Sequence, residues 1–283
     1  MYDPGYINNN PEEPAENLPK DAIRILQLSD SHLYADTSRR LVGLNTQETF
    51  EQVIALAKET ALPADVILAT GDIVHDASAT GYQRARDYLE QFELPVFCLP
   101  GNHDIPETMS YNMESELVST QRSVAIDDWL LILLDSTIPH DSGGHLSDNE
   151  LALLRETLAA HESQHALICL HHHPVKVGSA WMDSMALDNP DSFFEIIDQH
   201  SNVRGVLWGH IHQIYEGYYN EQVRMMGSPS TCIQFTPDED DFAVEHVAPG
   251  FRWLELYADG SIRSGVKRLA EMPAGLDIKS GGY

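Results

Sequence analysis

Five apolar segments of the chain each end in a short polar cluster, and the polar residues are mostly Asp and His. The clusters contain no cysteine and no pattern typical of a serine nucleophile. Their candidate functional residues are Asp30, His32, Asp72, Asn102, His103, His171, His210 and His212. Imidazole and carboxylate ligands together suit Fe, Mn, Zn, Co or Ni. Without His103, seven candidate ligands remain, which is more than one ordinary site needs. They fit two metal ions that share a bridging carboxylate.

The spacing within two clusters predicts which side chains act together. Asp30 and His32 are two residues apart, and so are His210 and His212. On an extended chain, residues i and i+2 point the same way. We therefore expect Asp30 and His32 to face one metal ion, and the two later histidines to converge on the centre, one for each ion.

The segment Gly101-Asn-His-Asp104 combines a ligand with a candidate catalytic group. Asn102 can bind a metal ion through its neutral carbonyl oxygen, and this places His103 beside the metals without making it a ligand. Gly101, like Gly71 before Asp72, is expected where the backbone turns sharply.

The apolar segments are typical of buried β-strands, because they are short and rich in Val, Ile and Leu. The predicted strands cover residues 23–28, 65–69, 96–100, 129–135, 166–170, 203–208 and 223–227. Helices are predicted between several of them, two of which follow the capping signatures Asn45-Thr-Gln-Glu48 and Ser147-Asp-Asn-Glu150. Strands that alternate with helices indicate a layered α/β fold, and ligands of such sheets bind beyond the carboxyl ends of the strands. A predicted terminal hairpin, with Ala-Asp-Gly between residues 251–257 and 261–269, favours a mixed sheet.

Composition divides the chain into a single folded unit with two polar ends. Residues 1–20 are rich in Pro, Asn and Glu, and we expect a flexible acidic leader there. Residues 21–271 are expected to form one domain that includes the terminal hairpin, because no long linker or internal repeat interrupts them. Residues 272–283 are Gly-rich, and we expect a flexible tail.

The charge of the chain restricts its partners. Lys and Arg total 17 and Asp and Glu total 44, so 17 − 44 gives a net charge of −27. Nucleic acid and anionic membranes need a basic face, so neither is an expected partner. No apolar run of about 18 residues predicts a membrane span, and the N-terminal segment lacks a secretory signal pattern. Three widely spaced cysteines, Cys98, Cys169 and Cys232, are interpreted as buried free thiols in the cytoplasm.

The five clusters, in their order along the chain, resemble the motifs of the calcineurin-like metallophosphoesterase superfamily. Its pattern of D-x-H, GD, GNH(D/E), H and G-H-x-H is complete between residues 23 and 230. Further segments are similar to the cyclic-nucleotide phosphodiesterase branch, and to its bacterial 3′,5′-cyclic AMP phosphodiesterases in particular: residues 26–33, 171–174, 209–213, 230–237 and 248–260. The resemblance implies a four-layer αββα sandwich with mixed sheets.

The resemblance also implies a set of roles. We expect one ion to be held by Asp30, His32, Asp72 and His212, and the other by Asp72, Asn102, His171 and His210. In the triple His171-His-His173, the resemblance favours His171 as the ligand, although the two-residue rule leaves His173 open. Hydrolysis of 3′,5′-cyclic AMP to 5′-AMP would use a bridging hydroxide as nucleophile and His103 as general acid, lowering the cellular cyclic AMP signal. The expected substrate contacts are His32, Asn102, His103 and His212.

Two alternatives accompany this hypothesis. A broader phosphodiesterase or phosphomonoesterase, acting on 2′,3′-cyclic nucleotides or glycerophosphodiesters, could use the same centre. A non-catalytic scaffold is the second alternative, but every ligand position and His103 are present, which argues for an enzyme. Two divalent ions are the expected cofactors, with Fe and Mn favoured over Zn, Co and Ni.

Overall fold

The structure, a computed structural model, describes residues 13–60 and 63–282. Residues 1–12 of the expected leader and Tyr283 of the expected tail lie outside the described residues. The helices are α1 (Thr46–Thr60), α2 (Ala79–Leu89), α3 (Pro106–Met113), α4 (Asp148–Ala160), α5 (Ala180–Asp183) and α6 (Pro190–Ile197), with a 3-10 turn at Glu90–Phe92. The strands are β1 (Ile23–Leu28), β2 (Arg40–Leu41), β3 (Leu44–Asn45), β4 (Val66–Thr70), β5 (Val96–Leu99), β6 (Val118–Ser119), β7 (Ser123–Ile126), β8 (Trp129–Leu133), β9 (His165–Leu170), β10 (Val203–Trp208), β11 (Tyr215–Tyr219), β12 (Val223–Gly227), β13 (Gln234–Phe235), β14 (Val244–Glu245), β15 (Gly250–Leu256) and β16 (Ile262–Arg268).

Twelve of these strands form two six-stranded sheets of mixed orientation. The first sheet has the order β16-β15-β1-β4-β5-β6, and the second has the order β11-β12-β10-β9-β8-β7. Strands β1, β4, β5 and β6 run parallel, whereas the hairpin β15–β16 is antiparallel and joins the edge of β1. In the second sheet β8, β9, β10 and β12 are parallel, and β7 and β11 flank them antiparallel. The predicted mixed sheet and terminal hairpin are confirmed.

Alternating side chains of the strands separate three apolar cores, which define four layers. Ile25 of β1 packs between the sheets with Leu131 and Leu207 of the second sheet. Its neighbour Leu26 points to the opposite face and packs with α1, α2 and α3. The outer face of the second sheet packs against α4, α5 and α6. Because successive residues of a strand face opposite sides, near-continuous apolar runs are required here. The order is therefore helices, sheet, sheet, helices, in one domain as predicted.

The predicted capping residues begin two of the helices. The Glu48 N–H donates to Asn45 Oδ1 at 3.1 Å at the start of α1. The Glu150 N–H donates to Ser147 Oγ at 3.3 Å at the start of α4. These side chains supply acceptors for amide groups that the first helical turn leaves without intrahelical partners.

Both terminal segments contact the domain where they are described. The Ala15 N–H donates to the Glu255 carboxylate at 2.7 Å. The Asp277 N–H donates to the Val42 carbonyl at 2.9 Å, and Leu276 packs against the outer core of the second sheet. Within residues 13–60 and 63–282, no helix has both the length and the apolar character needed to cross a membrane.

Candidate metal centre

The candidate ligands lie in the loops that follow five parallel strands, where the two sheets face each other. β1 leads to Asp30 and His32, β4 to Asp72, β5 to Asn102, β9 to His171, and β10 to His210 and His212. All seven side chains are brought to one place, and six of them are buried; Asn102 is half-buried. The carboxyl ends of the strands thus assemble the group that the sequence motifs predict.

One group of ligand atoms surrounds the imidazole of His32. Its Nε2 lies 3.2 Å from Nε2 of His212 and 3.7 Å from an oxygen of Asp72. The His212 Nε2 in turn lies 3.3 Å from Oδ1 of Asp30. Asp30, His32 and His212 meet the distance expected of a group that holds a cation. These are three of the four residues that the resemblance assigns to one ion, and the fourth is Asp72.

A second group surrounds Nε2 of His171. This nitrogen lies 3.2 Å from Asn102 Oδ1, 3.4 Å from an Asp72 oxygen and 3.9 Å from an Asp30 oxygen. The ring of His210 packs edge-on against that of His171, with centroids 5.1 Å apart. The Asp72 carboxylate contacts a member of each group, so it lies between the two groups of ligand atoms.

The backbone at the ligands differs from the extended conformation expected from the two-residue spacing. Asp30, His32, Asp72, His210 and His212 all have positive φ, between 46° and 64°. The expectation that an extended chain aligns these side chains is therefore wrong, although they do converge. Hydrogen bonds between loops impose the left-handed backbone: the Asp30 N–H donates to the Gly71 carbonyl and the His32 N–H to the Asp72 carbonyl. Each such residue carries a conformational cost of about 1–2 kcal/mol, and such strain is concentrated at functional sites.

Groups outside the ligand set fix the orientation of the imidazoles. The His171 Nδ1 lies 2.8 Å from the Thr70 carbonyl, and the His212 Nδ1 lies 2.9 Å from the Ile233 carbonyl. A carbonyl can only accept, so each Nδ1 carries a proton, and in the neutral imidazole each Nε2 is left with a lone pair directed into the centre. This is the tautomer that ligation requires.

The centre strongly favours positive charge between its carboxylates. Burial opposes protonation of His171, but the carboxylates of Asp72 and Asp30 outweigh it and raise its pKa to about 9. Burial also opposes ionisation of Asp72, yet His171, His103 and His32 hold its pKa well below the usual range. A second proton, on the Nε2 of His171, thus lies between the carboxylates, in the place that a cation would take. By contrast, burial and three neighbouring histidines hold the pKa of His210 well below its usual value.

The residues fit divalent cations on three independent observations. First, the His210 Nε2 is buried and has no hydrogen-bond partner among the described residues. Second, the Asp, His and Asn donors are those that Fe, Mn and Zn accept. Third, two glycines allow the carboxylates to lie against the backbone. A Cβ at Gly101 would lie 2.3 Å from Asp72 Oδ1, and one at Gly209 would lie 2.8 Å from Asp30 Oδ2.

The histidine triple divides into three environments. His171 lies in the centre, as described above. The His172 Nδ1 lies 2.8 Å from Ser136 Oγ, and the His172 ring packs against His210 with centroids 4.7 Å apart. His173 points to the Asp183 carboxylate at 3.6 Å, outside the two groups of ligand atoms. The geometry therefore agrees with the preference for His171 over His173.

One residue near the centre, His75, is missed by the reasoning from sequence, which leaves Asp104 open between orienting His103 and accepting a hydrogen bond in a local turn. His75, interpreted by default as a surface or packing residue, stacks on His103 and lies 3.1 Å from a nitrogen of His32. Its position three residues after Asp72, in the same ligand-bearing loop, is the signal that could have found it. Asp104 accepts hydrogen bonds from the backbone of Ile73 and from Gly101, and so joins two ligand loops.

Comparison with known proteins identifies the family to which this architecture belongs. Residues 23–214 match the family described as calcineurin-like phosphoesterase. The chain belongs to this family. The match includes all five ligand-bearing loops, so the resemblance expected from the motifs is confirmed. The chain is an enzyme of the phosphoesterase class, and its family implies divalent metal ions.

Relatives with high coverage are cyclic-nucleotide phosphodiesterases by name. The 3′,5′-cyclic adenosine monophosphate phosphodiesterase CpdA of Vibrio vulnificus is 39% identical over 95% of this chain and 98% of its own length. The CpdA proteins of Pseudomonas aeruginosa and Escherichia coli are 38% and 36% identical, over 93% and 92% of this chain and 96% and 95% of their own lengths.

Solved structures share the fold at much lower identity. A dimetal phosphatase from Danio rerio matches with a TM-score of 0.62 at 13% identity, covering 91% of this chain and 99% of its own. A purple acid phosphatase from yellow lupin matches with a TM-score of 0.57 at 13% identity, covering 87% of this chain and 54% of its own. The mixed four-layer architecture is therefore that of metallophosphoesterases.

Proposed function

We propose that this protein hydrolyses 3′,5′-cyclic AMP to 5′-AMP and so lowers the cellular cyclic AMP signal. The observation that carries the proposal is its similarity to three CpdA phosphodiesterases, at 36–39% identity over more than nine-tenths of each chain. Such coverage extends beyond the metal-binding loops to the segments after residue 230, which distinguish the cyclic-nucleotide branch in the sequence.

The proposed ligand sets follow the two groups of atoms in the centre. One ion would be held by Asp30, His32, Asp72 and His212, and the other by Asp72, Asn102, His171 and His210. When bound, two divalent ions supply a water of lowered pKa and positive charge close to the phosphoryl oxygens. Fe and Mn are the proposed ions, with Zn, Co and Ni as alternatives that the same donors accept.

His103 is the proposed general acid. Its ring packs edge-on against His32, with centroids 4.9 Å apart, and it is not needed to complete either ligand set. Its backbone N–H donates to Asp72 Oδ1 at 2.9 Å, which ties the residue to the shared carboxylate. From this position it would donate a proton to the 3′ oxygen of the ribose as the ester bond breaks. His32, Asn102, His103 and His212 are the proposed substrate contacts.

The cytoplasm remains the proposed location. Cys98, Cys169 and Cys232 are all buried and unpaired. Burial raises the pKa of each thiol, which disfavours a catalytic thiolate and agrees with a structural role. Free thiols are typical of a reducing compartment.

The test compares hydrolysis of 3′,5′-cyclic AMP, 3′,5′-cyclic GMP, 2′,3′-cyclic AMP and a bis-aryl phosphate, with metal analysis of the same sample. We expect efficient turnover of 3′,5′-cyclic AMP by protein that contains close to two metal ions per chain. Negligible turnover of 3′,5′-cyclic AMP beside good turnover of 2′,3′-cyclic AMP would overturn the specific assignment and favour the broader phosphodiesterase.

A further inference from the structure

A cavity of about 440 Å³ opens directly onto the metal centre. Asn102, His103 and His210 are part of its lining, so a molecule that fills the cavity can contact a candidate ligand and the candidate general acid. A phosphodiester group beside these residues leaves most of the cavity for the remainder of the substrate. The volume lies within the range of small-molecule sites.

One wall of the cavity is apolar and aromatic. Trp181, Met182, Met185 and Phe242 line it. Trp181 is half-buried, so part of its ring is covered by the protein and part faces the cavity. A planar, weakly polar group would gain most from this wall, because aromatic faces stack on nucleobases.

The aromatic wall is held rigidly against the metal centre by a series of rings. Trp181 packs edge-on against Phe235 with centroids 5.0 Å apart, and Phe235 stacks on the ligand His212 at 4.2 Å and 9°. Phe242 packs edge-on against both Trp181 and Phe235. The backbone N–H of Trp181 donates to the Asp240 carbonyl at 3.1 Å, which ties α5 to the loop that carries Phe242. The distance between the wall and the centre is therefore fixed by packing.

A second wall is polar and exposed. His140, Asp141 and Ser142, in the loop after β8, line it. They offer donors and acceptors to the edge of a base or to ribose hydroxyls. The two walls and the centre thus match the three parts of a nucleotide: a planar heterocycle, a polar sugar and a phosphate.

We infer that Trp181, with Phe242, forms the subsite for the nucleobase of the substrate, and that Trp181 determines selectivity for nucleotides over other phosphodiesters. This inference rests on the proposed function, because it assigns the base to the cavity beside the proposed catalytic centre. Because the chain carries a net charge of −27, attraction of an anionic substrate by charge is confined to the neighbourhood of the bound metal ions. The nucleobase has no charge, so stacking supplies its recognition.

The kinetic test compares the wild type and a Trp181 variant on two substrates, one with a nucleobase and one without. Trp181→Ala should lower kcat/KM for 3′,5′-cyclic AMP by about 10- to 100-fold, mainly through KM. The same variant should hydrolyse the 3′,5′-cyclic phosphate of methyl riboside, which has no base, at the wild-type rate. Equal losses on both substrates would overturn the assignment, because they would show that Trp181 acts without contacting the base. Trp181→Leu, which retains more of the apolar packing, should resemble Trp181→Ala if stacking is the cause.

A matched control distinguishes the loss of any aromatic side chain from the loss of the proposed subsite. Phe194 is also half-buried, and it stacks on Tyr219 at 4.2 Å away from the metal centre. Phe194→Ala should leave kcat/KM for 3′,5′-cyclic AMP within about twofold. An equal loss in Phe194→Ala and Trp181→Ala would overturn the assignment in favour of general destabilisation.

A binding test needs no turnover. The chain has four tryptophans, and Trp129, Trp208 and Trp253 are 0% exposed. Stacking of 5′-AMP should therefore quench the emission of Trp181 selectively, whereas ribose 5-phosphate should not. Trp181→Phe should remove the quenching while binding 5′-AMP within about threefold of the wild-type affinity. Quenching that persists in Trp181→Phe would overturn the subsite. Quenching without hydrolysis of cyclic AMP would retain the subsite and reject the proposed function.

Discussion

The imidazole rings of His75 and His103 are stacked, with centroids 4.3 Å apart and planes 24° apart. The Nδ1 of His75 also lies 3.1 Å from the Nδ1 of His32. His32 directs its Nε2 towards His212 and Asp72, so its Nδ1 is the nitrogen left for an outer partner. His75 therefore connects a candidate ligand to the candidate general acid.

Replacing His103 with Ala should lower kcat for 3′,5′-cyclic AMP by about 10²- to 10⁴-fold and leave the metal content unchanged. The ribose oxygen is a poor leaving group that needs a proton, whereas a nitrophenolate does not. Hydrolysis of bis-p-nitrophenyl phosphate should therefore fall much less. Steady-state kinetics on both substrates, with metal analysis, provide the measurement. Full activity towards cyclic AMP would remove His103 from the mechanism.

Replacing His75 with Leu should lower kcat for cyclic AMP by about tenfold with little change in KM, because the His103 ring loses its stacking partner. It should also weaken metal retention, since His32 loses the acceptor for its Nδ1 proton. His75→Gln is the matched control, because its amide oxygen can still accept from His32 but cannot replace the stack. His75→Gln should thus retain metal in dialysis as well as the wild type does, but its kcat should be as low as that of His75→Leu. Wild-type kcat and metal content in His75→Leu would show that the stack has no role.

The ligand-bearing loops could be predicted from the sequence, but the conformation of their backbone could not. Strands such as β1 and β10 are near-continuous apolar runs, and Asp30 and His210 lie two residues after their ends, so the pattern locates both. Positive φ at these residues depends on hydrogen bonds between separate loops, for example from the His210 N–H to Asp30 at 3.0 Å. The positions of His75 and Trp181 likewise depend on packing between segments far apart in the chain, which no local pattern contains.

Gly209→Ala should reduce metal binding. A Cβ there would lie 2.2 Å from Ser29 Oγ and 2.8 Å from Asp30 Oδ2, so the carboxylate of Asp30 would have to move. We expect the affinity for metal to fall by about 10- to 100-fold, as when the surroundings of a ligand are disturbed. Equilibrium dialysis measures this. Gly281→Ala is the control, because a Cβ at Gly281 meets nothing within 4 Å. Equal metal affinity in the two variants would contradict the prediction.

Glu255 should make stability depend on pH. Burial opposes its ionisation, but hydrogen bonds from Arg24, the Ala15 N–H and Tyr257 hold its pKa below the usual value of 4.5. A lowered pKa in the folded state means that the ionised carboxylate stabilises the fold above the unfolded pKa. This stabilisation is lost as the pH falls through the folded pKa.

Glu255→Gln should therefore lower the free energy of unfolding by about 3 kcal/mol near neutral pH, because Arg24 is left buried without its counter-ion. The difference in free energy of unfolding from the wild type should shrink as the pH falls below 4.5, the usual pKa of a glutamate. Urea unfolding at neutral pH and in the acid range measures both. The exposed Glu59→Gln is the control and should behave like the wild type at each pH. A difference that does not change with pH would contradict the role of the charge.

Removal of metal by a chelator should abolish hydrolysis and lower Tm. The carboxylates of Asp30 and Asp72 are both buried in the centre. Bound cations would balance their negative charge, which in the absence of metal is balanced by a protonated His171. Because the ions bind only the folded state, their loss should lower Tm by about 5–10 °C. Adding back Mn²⁺ or Fe²⁺ should restore both activity and Tm.

Asp72→Asn is the matched control for chelation, because it removes the carboxylate shared by the two groups of ligand atoms. Its Tm should already be insensitive to the chelator, and its hydrolysis should already be lost. Calorimetry before and after chelation, with metal analysis of each sample, distinguishes the variants. Full hydrolysis by wild-type protein shown to be free of metal would contradict the proposed centre.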